Sequence, residues 1–421
     1  MGLTPLILAT LLADPVELNA GIATELRGGD SPVLANQESH AFVATVTTPQ
    51  GDLELKDRRV YLRLTYFPRL VWQSPNALDR TLRPLLLNQA ALSLIGRPTM
   101  RTRITAHAFG SYGEPDYSIL PQLVGTGQGT PPLGSGQAAV PQVQKILTLS
   151  AGVLVESDLN RRFLLACGLD GSHFRPIAES SPAKAPPGTM QTISFLIEQT
   201  TVAASPGIIY RLTPHDALAL TVNTTYVTYS GGIALALVNT TLSWRALRSA
   251  RDEFRVELGV AEAHDLGTAS AVPDRQAVSP TGSIDALLHI FSEDEYGLWT
   301  RLRVAVEEYV DPVLTQVYPR ALVYGQITLV MAPDWSAGIQ GDFATSLRTA
   351  PAATNLDETA LSIVLPVRHR VTPNVIVEIG GRWSERAPAL TATNFGFRER
   401  QIWAYLSLTA TTRARPAWSG R

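Results

Sequence analysis

The sequence predicts an all-β protein, a single closed antiparallel transmembrane β-barrel of about eighteen strands, with sixteen as the alternative count. Three observations lead there. Apolar residues alternate with polar or small ones over segments of about ten residues. Charged residues make up only 17% of the 421, yet no apolar run reaches the roughly 18 residues that a membrane-spanning helix needs. The links between segments fall into a short class and a long class, as the turns and loops of a barrel do.

The alternation is clearest in residues 59–72. Val60, Leu62, Leu64, Tyr66, Leu70 and Trp72 share one face, and Tyr61, Arg63, Thr65, Phe67 and Arg69 the other, because neighbouring strand side chains point to opposite sides. From Gly297 to Glu307, Leu298, Thr300, Leu302, Val304 and Val306 oppose Trp299, Arg301, Arg303, Ala305 and Glu307. Phe254, Val256, Leu258 and Val260 oppose Arg255, Glu257, Gly259 and Ala261. Val375, Val377, Ile379 and Trp383 oppose Glu378, Gly380 and Arg382. A helical period would mix these faces.

In Leu218–Asn223 and Leu147–Val155, small polar residues replace charge on the second face. Ile233, Leu235 and Leu237 fall out of phase with Leu242 and Trp244, which predicts a bulge between them. Residues 244–252 (WRALRSARD) read as a basic turn.

Short links are Lys56–Arg58, Arg97–Arg103, Ser157–Arg162, Thr213–Asp216 and Arg368–Asn374. Long ones, rich in Gly, Pro, Ser, Thr or Ala, are Tyr112–Val140, Ile177–Gly188, Gly267–Gly282 and Ser346–Glu358. Tight periplasmic turns and long outer loops have this asymmetry. Strands are expected to begin near Val16, Phe42, Val60, Leu85, Ile104, Ile146, Phe163, Thr192 and Leu218, then near Ile233, Phe254, Ile284, Leu298, Leu322, Ala337, Ala360, Val375 and Ile402.

Hydrocarbon offers no partner to backbone N–H and C=O groups, so a spanning chain without apolar helices must close into a barrel. With sixteen to eighteen strands the barrel encloses a water-filled lumen. The expected pore-lining row is Arg63, Arg69, Arg255, Glu257, Arg301, Arg303, Glu307, Glu378 and Arg382. One reading makes Arg63, Arg69, Arg301 and Arg303 a positive strip that attracts anions. The other pairs them with Glu257, Glu307 and Glu378 in a ladder that stiffens the wall.

The segments DRRVYLRLTYFPRLVW, DEFRVELGV and NVIVEIGGRWSER resemble strands of Gram-negative outer-membrane β-barrel proteins of the porin-like type. The resemblance is one of pattern and extends over nearly the whole chain. It implies the bacterial outer membrane, a lipid bilayer and the outer-membrane assembly machinery as partners, and small polar solutes as cargo. Such chains often end on an aromatic residue, whereas this one runs past Ile402–Thr409 into 413–421, leaving Trp403 and Tyr405 to serve from an internal last strand. Tyr66, Trp72, Tyr226, Tyr229, Trp244, Trp299, Trp335, Trp383 and Trp403 lie mostly near expected strand ends, where an interfacial aromatic belt would sit.

Residues 1–13 resemble the later part of a secretory signal peptide, although no Lys or Arg precedes the apolar segment. Residues 14–412 are assigned to the barrel and 413–421 to a tail.

The formal charge of −2 speaks against nucleic acid as a partner. The one cysteine, Cys167, excludes an internal disulfide. His40, His107, His173, His215, His264, His289 and His369 show no metal-ligand spacing. Neither a GxSxG elbow nor a complete phosphate loop is present; Gly125–Gly134 has the glycines without the GK[ST] ending. The cluster Glu293, Asp294, Glu295 reads as a solvated turn. No catalytic, metal or cofactor site is therefore assigned. The leading expectation is a passive pore; the alternatives are a plugged structural or binding barrel and an outer-membrane hydrolase, which would need Ser or Asp clustered with His at the outer rim.

Overall fold

A computed structural model describes residues 16–31, 40–74, 84–114, 145–177, 198–229, 233–249, 251–266, 277–292, 296–311, 316–347, 358–388 and 399–412. The expected leader and tail, residues 1–13 and 413–421, lie outside these, as do Gly125–Gly134 and the acidic cluster 293–295. No helix forms among the described residues.

Among the described residues nineteen strand segments follow one another. They are β1 Val16–Ser31, β2 His40–Lys56, β3 Val60–Tyr66, β4 Arg69–Ser74, β5 Leu85–Gly96, β6 Thr102–Gly113 and β7 Lys145–Asp158. Next come β8 Phe163–Ile177, β9 Gln199–Arg211, β10 Asp216–Tyr229, β11 Ile233–Leu247, β12 Glu253–Asp265 and β13 Ala277–Ser292. The last are β14 Gly297–Asp311, β15 Gln316–Ala332, β16 Trp335–Ser346, β17 Glu358–Thr372, β18 Val375–Pro388 and β19 Glu399–Thr411.

Every neighbour pairs antiparallel, and β19 returns to β1 with Gly21 opposite Thr411 and Asp30 opposite Ile402. The sheet therefore has no free edge. Around its circumference stand eighteen staves, because β3 and β4 form one. Gly51 pairs Tyr66 and Thr47 pairs Leu70, a register that is unchanged across the gap and sets Pro49 opposite Pro68. Neither proline has an N–H to donate, so the ladder is interrupted there without a slip.

The two rims differ as the link lengths predict. At one rim the chain passes between strands in a few residues, as at 57–59, 97–101, 159–162, 212–215, 333–334 and 373–374. At the other it passes through 114–144, 178–198, 266–276, 347–357 and 389–398. Several short turns share one device. The side-chain oxygens of Thr99, Asn160, Thr213 and Ser249 each accept the backbone N–H groups two and three residues on, at 2.8–3.2 Å. Ser, Thr and Asn suit this because a short polar side chain can mimic a backbone carbonyl.

Two expectations need correction, and a third, the strand start near Thr192, lies outside the described residues. The segment 277–282 belongs to β13, not to a long loop, since Val278 and Pro280 continue an outward row opposite Glu262 and Val260. The first described residue of the ninth strand is Gln199, seven residues past Thr192, and residues 192–197 lie outside the description. No bulge interrupts β11; its register with β10 runs unbroken from Asp216–Ala246 to Tyr229–Ile233. Leu235 and Leu237 simply face inward near the long-loop rim, where Leu235 is buried.

Candidate functional site

Exposure distinguishes the two faces of the wall. On β1, Leu18 and Leu26 are 77% and 49% exposed, while Arg27 is 6% exposed. A closed barrel occludes its concave side, so the sheltered row is the inner one. Register carries this assignment from strand to strand. Arg63 stands beside Ser93, Arg69 beside Leu87, and Arg255 and Glu257 beside Asp285 and Ser283. Arg301, Arg303 and Glu307 stand beside Gln326, Tyr324 and Arg320, Glu378 beside Arg368, and Arg382 beside Trp403. By register these nine residues continue the row of Arg27, and the apolar residues of the same strands continue the row of Leu26.

Their charge partners differ from the expected ladder. Arg63 binds Asp52 at 3.0 Å, with Glu54 at 3.7 Å. Arg301 holds Asp285 in a fork at 2.8 and 3.2 Å. Arg255 pairs with Glu257 two residues along its own strand, and Glu257 also accepts from Ser283 at 2.7 Å. Glu378 pairs with Arg368 and accepts the Tyr405 hydroxyl hydrogen at 2.7 Å. Each pairing follows cross-strand adjacency or the two-residue repeat of one face, geometry that a single strand read alone does not reveal.

One buried part of the inner wall is the seam where the first and last strands meet. Phe42, Ala44, Trp403 and Tyr405 form a buried cluster against Val364. Trp403 has Arg382 as its neighbour on one side and Gly29 on the other; Tyr405 has Gly380 and Arg27. The Arg27 and Arg382 guanidinium carbons lie 5.1 and 6.0 Å from the Trp403 ring centroid, within cation–π range. Gly380 leaves the space that Tyr405 fills, since a Cβ there would meet its ring and hydroxyl at 2.7 Å. Arg382 also donates to Ser384 at 3.1 Å.

The chain is similar to several solved structures, among them an outer-membrane protein and a porin. One is OpdK of Pseudomonas aeruginosa, at 9% identity and a TM-score of 0.47, covering 94% of this chain and 99% of that one. Others are the same organism's OccK2 (OpdF) in complex with glucuronate, at 8% and 0.46 over 94% and 99%, and a BenF-like porin of Pseudomonas fluorescens Pf-5, at 9% and 0.46 over 94% and 98%. No protein-family model and no curated protein matches the sequence.

The seam went unrecognised in the sequence, and Trp403 and Tyr405 were expected in an outer belt or as terminal aromatics. They point inward instead, as do Tyr229 and Trp299, because register sets them opposite inner residues. Tyr66, Trp72, Tyr226, Trp244, Trp335 and Trp383 do face outward. One available signal is the pairing of Trp403 and Tyr405 at a two-residue interval on the row opposite Ile402, Leu406 and Leu408. Asp52, Glu54 and Asp285 lie on the charged faces of strands that appeared weakly patterned. Among the described residues no group of His, Cys, Asp and Glu is placed to hold a metal.

Proposed function

We propose that this chain is an outer-membrane pore through which small polar solutes diffuse down their gradient. One observation carries the reading: the barrel closes on itself with exposed Leu, Ile and Val rows outside and paired Arg, Asp and Glu rows inside. An exterior of that kind is solvated by lipid, and an interior of that kind requires water. Passage needs only this wall, with no chemical step. Arg63, Arg69, Arg255, Glu257, Arg301, Arg303, Glu307, Glu378 and Arg382 are assigned to the lining.

The cluster of Phe42, Trp403 and Tyr405 makes the seam side of that lining broad and aromatic, which supports a pore restricted to small solutes. The short-turn rim is assigned to the periplasm and the long-loop rim to the exterior. Residues 1–13 are assigned to export and the barrel's insertion to the outer-membrane assembly machinery.

Purified protein added to a planar bilayer at fixed voltage tests the reading. Stepwise ionic conductance is the expected result; folded barrels that insert without conducting would leave the plugged-barrel alternative in its place.

A further inference from the structure

The outer wall is not uniformly filled. Two adjacent outward rows cross β3 and β5–β9 along the hydrogen-bond direction. The first runs from Leu64 through Leu92, Ala108, Ala151 and Gly171 to Val202, each opposite the next. The second passes through Ala90, Gly110 and Leu149 to His173 and Thr200. Small residues sit between bulky ones in both rows, leaving a groove of about 540 Å³ whose floor is the backbone at Ala91, Phe109, Ser150, Ser172 and Thr201.

Wall packing does not impose the glycines. A Cβ at Gly110 would meet nothing nearer than Leu149 at 3.5 Å, and one at Gly171 nothing nearer than the Thr201 carbonyl at 3.8 Å. Both are ordinary contacts, so side chains would fit against the wall; what they would remove is depth.

Position and charge specify what fills the groove. Five inter-strand steps span roughly 24 Å. At the usual strand tilt of about 40° that row climbs roughly 15 Å, about the hydrocarbon depth of one leaflet. It climbs toward the long-loop rim, since Leu64 is four residues from the short-turn end of its strand and Val202 is three from the long-loop end of β9.

A polar margin follows the long-loop side of both rows. The Tyr66 hydroxyl donates to Asn88 at 2.8 Å, exposed Tyr112 stands opposite Asn88, and exposed Arg175 follows His173 on the same face. His173 engages Thr200 at 2.9 Å and has Glu198 at 3.8 Å, so Glu198 offsets any charge on the imidazole and Arg175 is the cation facing the headgroup layer. Arg175, beyond the upper end of the rows, suits the boundary between acyl chains and anionic headgroups.

We propose that the groove binds one acyl chain of a phosphate-bearing lipid of the outer leaflet, with the phosphate held at Arg175. This rests on the barrel standing in a membrane, but not on its lumen being open.

Native mass spectrometry of the detergent-purified full chain, titrated separately with dimyristoylphosphatidylglycerol and uncharged dimyristoylglycerol, provides the test. The phospholipid should give one adduct that outlasts detergent removal. Ala108→Leu with Gly110→Val should weaken that adduct at least tenfold. Arg175→Gln should reduce phosphatidylglycerol binding to the level of the neutral lipid. Unchanged heat-dependent gel migration shows that the variants fold, and Gly171→Val carries the test if the double variant does not.

Undiminished lipid binding by the filled groove overturns the proposal, as does an Arg175→Gln protein that still prefers the phospholipid. A dimer that the filling substitutions abolish would assign the groove to a second copy instead. Conductance measured on the same samples separates the two claims: a conducting barrel indifferent to groove filling contradicts only the lipid site.

Discussion

The Arg27 guanidinium carbon lies 5.1 Å from the centre of the Trp403 ring, on the inner face of the wall where the first and last strands meet. Register places Trp403 opposite Gly29, one inward position from Arg27, so the ring and the guanidinium meet diagonally across the closure. The pair ties barrel closure to the lining of the lumen. Replacing Trp403 by Ala should remove the ring that fills the seam cluster and cost about 3 kcal/mol, read from urea unfolding in detergent micelles. The same variant should conduct more per channel than the parent.

Gly380 tests the closeness of that packing. A methyl group there would meet the Tyr405 ring at 2.7 Å and the Leu365 carbonyl at 2.7 Å, whereas a Cβ at Gly325 meets nothing within 4 Å. Gly380→Ala should destabilise the barrel by roughly 1–3 kcal/mol, and Gly325→Ala should cause little change in the same unfolding experiment.

Asp285 neutralises Arg301 through the forked contact at 2.8 and 3.2 Å. Arg301 is about half exposed, so Asp285→Asn should change stability by less than about 1 kcal/mol. Its effect should appear in selectivity, because one uncompensated guanidinium then faces the lumen. Under a potassium chloride gradient the reversal potential should move toward the chloride value; an unmoved potential would place Arg301 away from the ion path.

The turn at Asp252 gives a pH prediction. Its carboxylate accepts the His289 backbone N–H at 2.7 Å and the Ser249 hydroxyl hydrogen at 2.9 Å, and these contacts, the first above all, hold its pKa below the usual aspartate value. A depressed folded-state pKa stabilises the fold above the unfolded value of about 3.9 and ceases to do so as pH falls through the folded value. Asp252→Asn should therefore weaken the barrel at neutral pH, with the difference from the parent shrinking below about pH 4. A difference that persists undiminished in strong acid would assign the effect to something other than the charge.

Much of this architecture was legible because period-two alternation is local. Val60 to Trp72 and Gly297 to Glu307 show both faces in a dozen residues, and register carries the same two faces from strand to strand. Pairing is not local. Arg63 finds Asp52 across a turn, and the Trp403 environment is made by residues nearly four hundred positions apart, so neither could be read from one strand. Apolar residues facing inward misled where they broke the expected pattern. Ile233 to Leu237 looked like a phase slip because an apolar inner patch was not anticipated.

Single cysteines placed in turn along one strand test the alternation most directly. In a Cys167→Ser background, single cysteines at 255, 256, 257 and 258 should be exposed to a charged, membrane-impermeant thiol reagent after reconstitution into liposomes. Cysteines replacing Arg255 and Glu257 should react, and those replacing Val256 and Leu258 should be protected by lipid. Protection at 255 and 257 with reaction at 256 and 258 would invert the wall and contradict a lipid-facing exterior around a wet interior.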